Sequence, residues 1–498
     1  MRNPLFQAAV LLGLSTGVFT SYGQDVSAIQ HSDIFVTRTK SDKVFKLYHV
    51  SGLAWGFLPH PLNVRTINRW RKNVKRAQAK GIHFQARIEF DARWENMIDY
   101  DPKGFRDNVM HTLDGDLLIA PWFKDRKHRG HPAYWFCSNA PGFREYLKYQ
   151  ADFVISGNPD FIMLDAQTSA ALALKWYGAC FCDHCLGGFN IYLGRCYTAG
   201  ELESMGVWPV KLFNYAEYLK SNGYNDNTFI NKSREAADTI PLLDIYKKYH
   251  IQSIGDLTTE LGAYIDKQAG RQIPLSTSSP PHQPFRSVVV PEISHYTLEM
   301  GQDAMERQVP VRTILNYKIA EAVQKKLIVT ALPKQDWKLI LDENRPGLVR
   351  TWIAQAYANG ANFMVPVNQW ASGHKRYKGD PADFTDMYDF IHNHAFLLDG
   401  YRAMAKTGLI LSRTELSERQ DIVESVLQHL VLENIPFRLI YTGPNDWDNK
   451  LAEEDLLGLN VVITPSNQDY LTDKQWETLS NFDGMIQSLS GKIELMEM

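Results

Sequence analysis

The sequence predicts an α/β protein in which a (β/α)8 TIM barrel precedes a smaller α/β domain. Between about residues 45 and 397, short β-rich runs alternate with amphipathic helical stretches, and the eight runs match the strand count of such a barrel. Most runs are continuously apolar, which is typical of parallel strands buried on both faces. A doubly wound open sheet is the alternative, but eight units in one domain favour closure.

The predicted barrel strands are residues 45–50, 82–90, 133–137, 161–165, 272–276, 287–292, 327–332 and 362–367. Amphipathic spacing predicts helices between them at 64–79, 143–155, 242–267, 311–325 and 347–359. Beyond a break near 401–407 the pattern restarts, with strands at 408–412, 437–441 and 461–464 and helices at 421–433 and 473–481. We therefore expect the barrel in 25–400 and the smaller α/β domain in 401–498.

Two long insertions interrupt the barrel, at 91–131 and 166–240. Both follow predicted strands. In this fold the loops after the strands build the active face, so long insertions there point to function.

Residues 1–24 resemble a secretory signal peptide. Arg2 gives a positive start, and the apolar run over 6–19 is too short to span a bilayer. A buried N-terminal helix is the alternative. We therefore expect a secreted or periplasmic protein with no membrane span.

Composition excludes some partners. The chain of 498 residues carries 53 basic and 56 acidic residues, a net charge of −3, so nothing favours binding to nucleic acid or an anionic membrane. The 12 Trp and 23 Tyr suit stacking on sugar rings, although a large aromatic core accounts for them equally well.

Four of the five cysteines suggest a metal site. Cys180, Cys182 and Cys185 have the spacing of a zinc knuckle, and a tetrahedral zinc ion needs a fourth ligand. Cys137, near the end of the third predicted strand, is the natural candidate, because that strand neighbours the fourth. Disulfides or free thiols are the alternative, although five cysteines leave one without a partner. Four thiolates leave no open coordination position, so the expected Zn2+ is structural.

The cysteine pattern resembles that of glycoside hydrolase family 42. Cys137 is followed by Cys180-x-Cys182-x-x-Cys185, and then by Phe189 and Leu193. The resemblance covers about residues 45–490. It implies a barrel with a zinc loop after strand 4, a non-catalytic domain similar to glutamine amidotransferases, and a homo-oligomer as one option.

The family's catalytic pair does not carry over. Family members place Asn-Glu at the end of strand 4 and a nucleophilic Glu at the end of strand 7. In this chain residues 161–168 read FIMLDAQT and residues 328–336 read IVTALPKQD, and neither stretch contains a Glu. The resemblance therefore implies a divergent relative, and galactosidase activity does not follow from it.

Two other carboxylates are the candidate catalytic pair. Asp165 ends an apolar strand and Glu292 ends the run SVVVPE, so both would face the barrel mouth. An Asp at the end of strand 4 resembles the nucleophile of several α-retaining barrel glycosidases. In that case Asp165 attacks the anomeric carbon and Glu292 is the acid/base. The reversed roles remain open, as do an ion pair between Asp165 and Arg87 and a sugar-binding role for Glu292.

Further residues near strand ends are candidates for binding the substrate. They combine carboxylates with aromatic and hydrogen-bonding side chains, and they are Trp55, Glu89, Asp91, His295, Tyr296, Asn368 and Trp370. The sequence thus predicts an exported glycoside hydrolase that cleaves a poly- or oligosaccharide. The alternatives are a non-catalytic carbohydrate-binding relative and a hydrolase or lyase of another class.

Overall fold

In the part of the chain that the structure describes, two parallel sheets, a small antiparallel hairpin and a layer of helices make up the protein. The computed structural model describes residues 29–37, 39, 41–56, 58–90, 93–165, 170–282, 292–302, 309–333, 335–367, 377, 380–400, 404–443 and 451–488. The strands are β1 (Phe35–Thr37), β2 (Gly52–Gly56), β3 (His83–Glu89), β4 (Lys127–His128), β5 (His131–Pro132), β6 (Phe161–Asp165), β7 (Leu275–Thr277), β8 (Ile293–Met300), β9 (Lys326–Ala331), β10 (Asn362–Phe363), β11 (Thr407–Ser412), β12 (Phe437–Thr442), β13 (Val461–Thr464) and β14 (Met485–Ser488). The helices are α1 (Asp42–Leu47), α2 (Val64–Gln78), α3 (Trp94–Tyr100), α4 (Pro141–Ile155), α5 (Ala170–Tyr177), α6 (Asp183–Cys196), α7 (Ala199–Ser204), α8 (Tyr215–Ser221), α9 (Asp226–Glu235), α10 (Leu243–Ala269), α11 (Val311–Ala322), α12 (Asp336–Glu343), α13 (Gly347–Ala358), α14 (Thr385–Asn393), α15 (Ala395–Leu398), α16 (Arg413–Glu418), α17 (Gln420–Leu432) and α18 (Asp473–Ser480).

The larger sheet is the barrel. Its eight strands are all parallel and follow the order β1-β2-β3-β6-β7-β8-β9-β10. At the seam between the first and last strands, the amide of Asn362 donates to the carbonyl oxygens of His31 and Asp33, at 3.1 and 2.8 Å. The predicted fold class, a barrel followed by a small α/β domain, is confirmed.

The smaller sheet is also parallel, in the order β12-β11-β13-β14. It lies against the barrel helix α11. Arg312 on that helix donates from Nε to Glu424 on α17 at 2.6 Å. The two sheets are therefore joined through packed helices.

Two predicted barrel strands, 45–50 and 133–137, are wrong, and a third, 287–292, lies outside the described residues except for Glu292, which precedes the strand at 293–300. Residues 45–50 belong to α1 and the turn after it, because Ser41 accepts a hydrogen bond from the amide of Val44 and so caps a helix. Residues 133–137 form only isolated antiparallel bridges outside the barrel. The actual first two strands are β1 and β2, so the strand ending at Asp165 is still the fourth.

The predicted helices agree closely with the structure, and caps fix several of their ends. Asn63 and Thr66 form a capping box at the start of α2. Helix α10 is 27 residues long, and Gly270 follows it as the C-terminal cap. The φ of 67° at Gly270 suits a residue without a side chain.

Three apolar cores hold the barrel, its helices and the insertion. The barrel interior contains Phe35, Trp55, Phe161, Ile328 and Met364, while a much larger core lies between the strands and the helices. The insertion after β6 has its own core around α6, α8, α9 and the first turns of α10. In the described part of the chain, no helix is long and apolar enough to cross a membrane.

Candidate active site

Strand alternation determines which side chains enter the barrel. The amide of Gln85 on β3 reaches Ser276 Oγ on β7 at 3.0 Å and Thr297 Oγ1 on β8 at 2.9 Å, so it points inward. Since side chains alternate along a strand, Arg87 and Glu89 also point inward. Met163 on β6 lies in the interior core, which places Asp165 on the inward face as well.

At the carboxyl ends of β3 and β6 these side chains form one ionic cluster. Arg87 donates from Nε and Nη2 to the two carboxylate oxygens of Glu89, at 2.8 and 2.6 Å. The same Nη2 lies 2.9 Å from Asp165 Oδ2. The side chains of Arg87 and Glu89 are 7% and 1% exposed, while that of Asp165 is 14% exposed. Asp165 is therefore the carboxylate that faces the solvent of the mouth.

Glu89 is buried and holds Arg87 in place. Its main-chain amide donates to Gln150 Oε1 on α4 at 2.9 Å, and Gln150 Nε2 donates back to its carbonyl at 2.8 Å. Burial raises the pKa of Glu89, and the guanidinium of Arg87 opposes that rise. Glu89 therefore orients Arg87, and its depth makes direct contact with a sugar unfavourable.

Strand β8 contributes a second carboxylate that the sequence analysis missed. His295 and Thr297 point into the barrel toward Gln85, so two residues further on Glu299 also points inward. Glu299 is the penultimate residue of β8 and is exposed, which places its side chain at the open mouth. The signal was in the sequence, because ISHYTLEM alternates polar and apolar residues with period two.

Glu292 lies at the opposite end of the barrel. It was predicted to end a strand, but it comes just before β8, at the strand's amino end. Its Cγ would lie 3.4 Å from a Cβ added at Gly262 of α10, and its charge acts on Lys325, which precedes β9. Burial lowers the pKa of Lys325 to about 7. Glu292 is therefore not brought together with Asp165.

His295 and Tyr296 are both fully buried. The His295 ring lies 5.4 Å from that of Phe161, deep in the barrel, and burial lowers the pKa of His295 to about 3. Tyr296 points outward from the strand, toward Arg413 and Tyr441 of the second domain. Neither side chain is placed where it could contact a sugar at the mouth.

The other predicted binding residues are either buried below the mouth or outside the described residues. Trp55 is 3% exposed in the barrel interior, with its amide 3.4 Å from Gln85 Oε1, so it packs below the mouth. Asp91, Asn368 and Trp370 lie outside the described residues.

The four predicted cysteine ligands come together in a buried cluster. Cys137, Cys180, Cys182 and Cys185 place their sulfur atoms within 4.8 Å of one another. Cys137 Sγ is 3.4 Å from Cys185 Sγ and 3.6 Å from Cys182 Sγ. Four sulfurs bound at about 2.3 Å around a tetrahedral ion would be roughly 3.8 Å apart. All five cysteines are unbridged, so the cluster could hold a metal ion.

Hydrogen bonds and pKa shifts fit such a cluster. Asn139 donates from its main-chain amide to Cys137 Sγ at 3.4 Å and from Nδ2 to Cys185 Sγ at 3.3 Å. Hydrogen bonding from Cys137 and its neighbours lowers the pKa of Cys182, while burial raises the pKa of Cys180 and Cys185. The Cys182 thiolate is therefore surrounded by neighbouring sulfur atoms, and a dication would offset its charge and displace the protons of the Cys180 and Cys185 thiols.

Comparison with known proteins places the chain among glycoside hydrolase-like barrels. No family model matches it. An α-agarase of Alteromonas agarilytica is 26% identical over 453 residues, covering 88% of this chain and 31% of the agarase. An α-agarase of Thalassotalea agarivorans is 25% identical over 459 residues, covering 89% and 31%. The chain therefore spans about a third of the length of the α-agarases that it matches.

A β-galactosidase is a further relative. BgaP of Planococcus sp. (strain L4) is 24% identical over 376 residues, covering 70% of this chain and 48% of BgaP. Among solved structures, the β-galactosidase of Rahnella sp. R3 superposes with a TM-score of 0.59 at 14% identity, covering 90% of this chain and 67% of that one. The α-L-fucosidase isoenzyme 2 of Paenibacillus thiaminolyticus gives 0.53 at 14% identity, covering 92% and 64%. These two structures support the fold alone. Together the comparisons make the chain a distant relative of α-agarases and of GH42-like β-galactosidases.

Proposed function

We propose that this protein is a glycoside hydrolase that cleaves an agar-type polysaccharide with Asp165 and Glu299. The observation that carries the proposal is the pair of inward-facing carboxylates at the carboxyl ends of β6 and β8. In a (β/α)8 barrel, this face bears the catalytic groups. Glycoside cleavage needs two carboxyl groups facing one sugar.

The surroundings of the two carboxylates suggest different roles. Asp165 lies 2.9 Å from the Arg87 guanidinium, which holds its carboxylate in place at the mouth. A carboxylate held in a fixed position suits attack on the anomeric carbon. Glu299 is exposed at the mouth, where it can exchange protons with solvent. We therefore assign Asp165 as nucleophile and Glu299 as acid/base.

The reaction then proceeds in two steps. Glu299 protonates the glycosidic oxygen while Asp165 Oδ bonds to the anomeric carbon and the leaving sugar departs. Glu299, now ionised, takes a proton from water, and the water oxygen displaces Asp165 from the anomeric carbon. The Arg87 guanidinium stabilises the negative charge that develops on the departing Asp165 oxygen, which favours release.

The substrate proposal rests on the relatives. Two of them are α-agarases, and the alignment with them extends over nearly the whole chain. Agar is therefore our first choice of substrate, with α-linked galactans as the wider class. Residues 1–24 carry the features of an export signal, and we propose that the enzyme meets the polysaccharide outside the cytoplasm.

We also propose that the four-cysteine cluster binds a structural Zn2+. Four thiolates in tetrahedral arrangement are a typical structural zinc site, with no position left for an activated water. The ion would tie Cys137, which follows β3, to the segment after β6. These are the two strands that carry Arg87 and Asp165.

The test is hydrolysis by the purified full-length chain. Agarose, agarose oligosaccharides and a panel of aryl α- and β-galactosides are incubated with wild type, Asp165→Asn and Glu299→Gln, and new reducing ends are measured. We expect kcat to fall on the order of 10⁴-fold for Asp165→Asn. For Glu299→Gln we expect about 10²- to 10⁴-fold, because loss of a general acid costs that much.

Glu292→Gln is the matched control, since it makes the same change at the opposite end of the barrel. It should keep wild-type activity. Equal losses in Glu292→Gln and Glu299→Gln would contradict the assignment. If wild type and Asp165→Asn both bind agarose but neither releases reducing ends, the protein is a carbohydrate-binding relative and the proposal is wrong.

A further inference from the structure

A second group of possible metal ligands lies at the rim of the barrel mouth. His60 follows β2, Asp99 lies in α3 after β3, and His128 ends β4 in the hairpin beyond it. Each residue offers one ligand atom, and the three atoms lie within 4.8 Å of one another. None of these residues belongs to the cysteine cluster or to the Arg87–Asp165 network.

The geometry brings the three side chains toward one point. His128 Nε2 is 2.7 Å from Asp99 Oδ1. The rings of His60 and His128 have centroids 5.4 Å apart and an interplanar angle of 83°. Bonds of about 2.0–2.2 Å to a tetrahedral ion place its ligand atoms roughly 3.3–3.6 Å apart, a spacing within the 4.8 Å that encloses the three ligand atoms of this group. The three side chains can therefore reach a common ion with small adjustments.

Asn96 prepares His60 for binding. Asn96 Oδ1 lies 2.5 Å from His60 Nδ1, and Asn96 Nδ2 donates to the carbonyl of Pro59 at 3.2 Å. An amide oxygen only accepts hydrogen bonds, so His60 Nδ1 carries the proton. The lone pair is then on Nε2, the atom left for a ligand bond. Asn96 is 3% exposed, so this orientation is built into the fold.

Arg129 also contacts the site, and it is compatible with an ion. Its Nε lies 3.0 Å from Asp99 Oδ1, and its side chain is 58% exposed. His128 and Arg129 both contact Oδ1 of Asp99, which leaves Oδ2 to bind a metal while Arg129 holds Oδ1. Being exposed, Arg129 can also move away at little cost.

We propose that His60, Asp99 and His128 bind a first-row transition-metal dication, with Zn2+ the favoured ion. Two imidazoles and one carboxylate suit zinc and its neighbours, whereas Ca2+ and Mg2+ prefer oxygen ligands alone. Three protein ligands leave a position for water or a substrate oxygen. The ion would join the loop after β2, helix α3 and the β4–β5 hairpin at the rim of the mouth.

Metal stoichiometry tests the proposal. Purified protein is equilibrated with Zn2+, and bound zinc per chain is measured by mass spectrometry for wild type, His60→Ala, His128→Ala and Asn96→Ala. We expect two equivalents in wild type and one in each histidine variant. Asn96→Ala should still bind two, with the second about 10- to 100-fold weaker, because Asn96 only orients a ligand.

His131→Ala is the matched control, since His131 lies in the same hairpin outside the cluster. It should retain both equivalents, and Cys185→Ser should lose the other one. Cobalt substitution separates the sites, because only the cysteine cluster gives thiolate-to-cobalt charge-transfer absorption. Two equivalents in both histidine variants, or a single equivalent in wild type that both histidine variants retain, would overturn the proposal. So would a site that binds Ca2+ with Asp99 but without the histidines.

Discussion

Arg87 Nη2 lies 2.9 Å from Asp165 Oδ2, and the same guanidinium forms a two-point ion pair with Glu89. A single guanidinium thus contacts two carboxylates at the junction of β3 and β6. Asp165, the more exposed of the two, faces the mouth, and Glu89 is buried. The position of the Asp165 carboxylate therefore depends on Arg87.

Replacing Arg87 by Met should lower both the stability of the protein and its rate of hydrolysis. Without the cation, the Glu89 and Asp165 carboxylates repel each other and lose the contacts that hold them. The free energy of unfolding should therefore fall by about 3–5 kcal/mol, because a buried carboxylate is left without its partner. The value of kcat/KM should fall as well, because Asp165 is no longer held in position. Arg87→Lys keeps the charge and should lose less of both. Unchanged stability and unchanged kcat/KM in Arg87→Met would contradict this role.

Azide should distinguish the roles of the two mouth carboxylates. In Glu299→Ala, azide can attack the glycosyl intermediate without base assistance, so added azide should restore activity. The product should be a glycosyl azide with the same anomeric configuration as the substrate. In Asp165→Ala, azide would replace the nucleophile itself and give the inverted product. Product configuration is read by NMR. The opposite pattern would exchange the two assignments.

His295 should make the protein less stable in mild acid. Burial lowers its pKa to about 3, whereas an unfolded histidine titrates near 6.5. Between these values the unfolded chain binds a proton that folded His295 does not. The free energy of unfolding should therefore fall as the pH drops from 6.5 toward 3, by roughly 3 kcal/mol at pH 4 from this residue.

Chemical denaturation of wild type and His295→Gln at several pH values measures this contribution. The variant will be less stable at pH 7, because it disturbs the contact with Gln85. Its stability should nevertheless depend less on pH between 6.5 and 4. Parallel curves for the two proteins would show that His295 is not the source.

Loss of the cysteine cluster should increase local unfolding in the insertion after β6 earlier than in the barrel. Cys185 lies in α6, whose core includes Phe189 and Leu193, while Tyr246 Oη donates to the carbonyl of Cys180 at 2.6 Å. Cys185→Ser or a strong chelator should therefore raise hydrogen exchange in residues 170–249. The barrel strands should remain protected at first. Cys196→Ser is the control, since Cys196 is exposed and outside the cluster.

Continuous apolar runs made much of the fold predictable. The run FIMLD is buried on both faces up to Asp165, and it was predicted with its correct bounds. The strand GLAWG of β2 was missed, because two glycines and a register shift near Leu53 and Gly56 weaken its strand signal. Residues 45–50 look equally β-rich, but Ser41 and Asp42 begin a helix there, and local capping prevailed.

The candidate site was only half predictable for a related reason. Buried parallel strands are usually apolar on both faces, so the apolar run SVVVPE was predicted as the sixth strand, whereas the strand is ISHYTLEM. The barrel interior at β8 is polar, with His295 and Thr297 bonded to Gln85, and the strand therefore alternates. Because the sixth strand is 293–300 and not 287–292, the carboxylate near its carboxyl end is Glu299 and not Glu292. The cysteine cluster was predictable because thiolate spacing is independent of strand boundaries.

Helix α10 determines how the insertion can be exchanged between relatives. Its 27 residues extend for about 40 Å. At one end Tyr246 bonds to Cys180, and near the other Asp266 accepts from the amide of Ile273, two residues before β7. A graft of residues 170–242 alone would place the insertion of one protein on the first turns of another protein's α10. We expect such chimeras to fold only when the crossover lies beyond Tyr249. The first two turns of α10 are then transferred together with the insertion that packs on them.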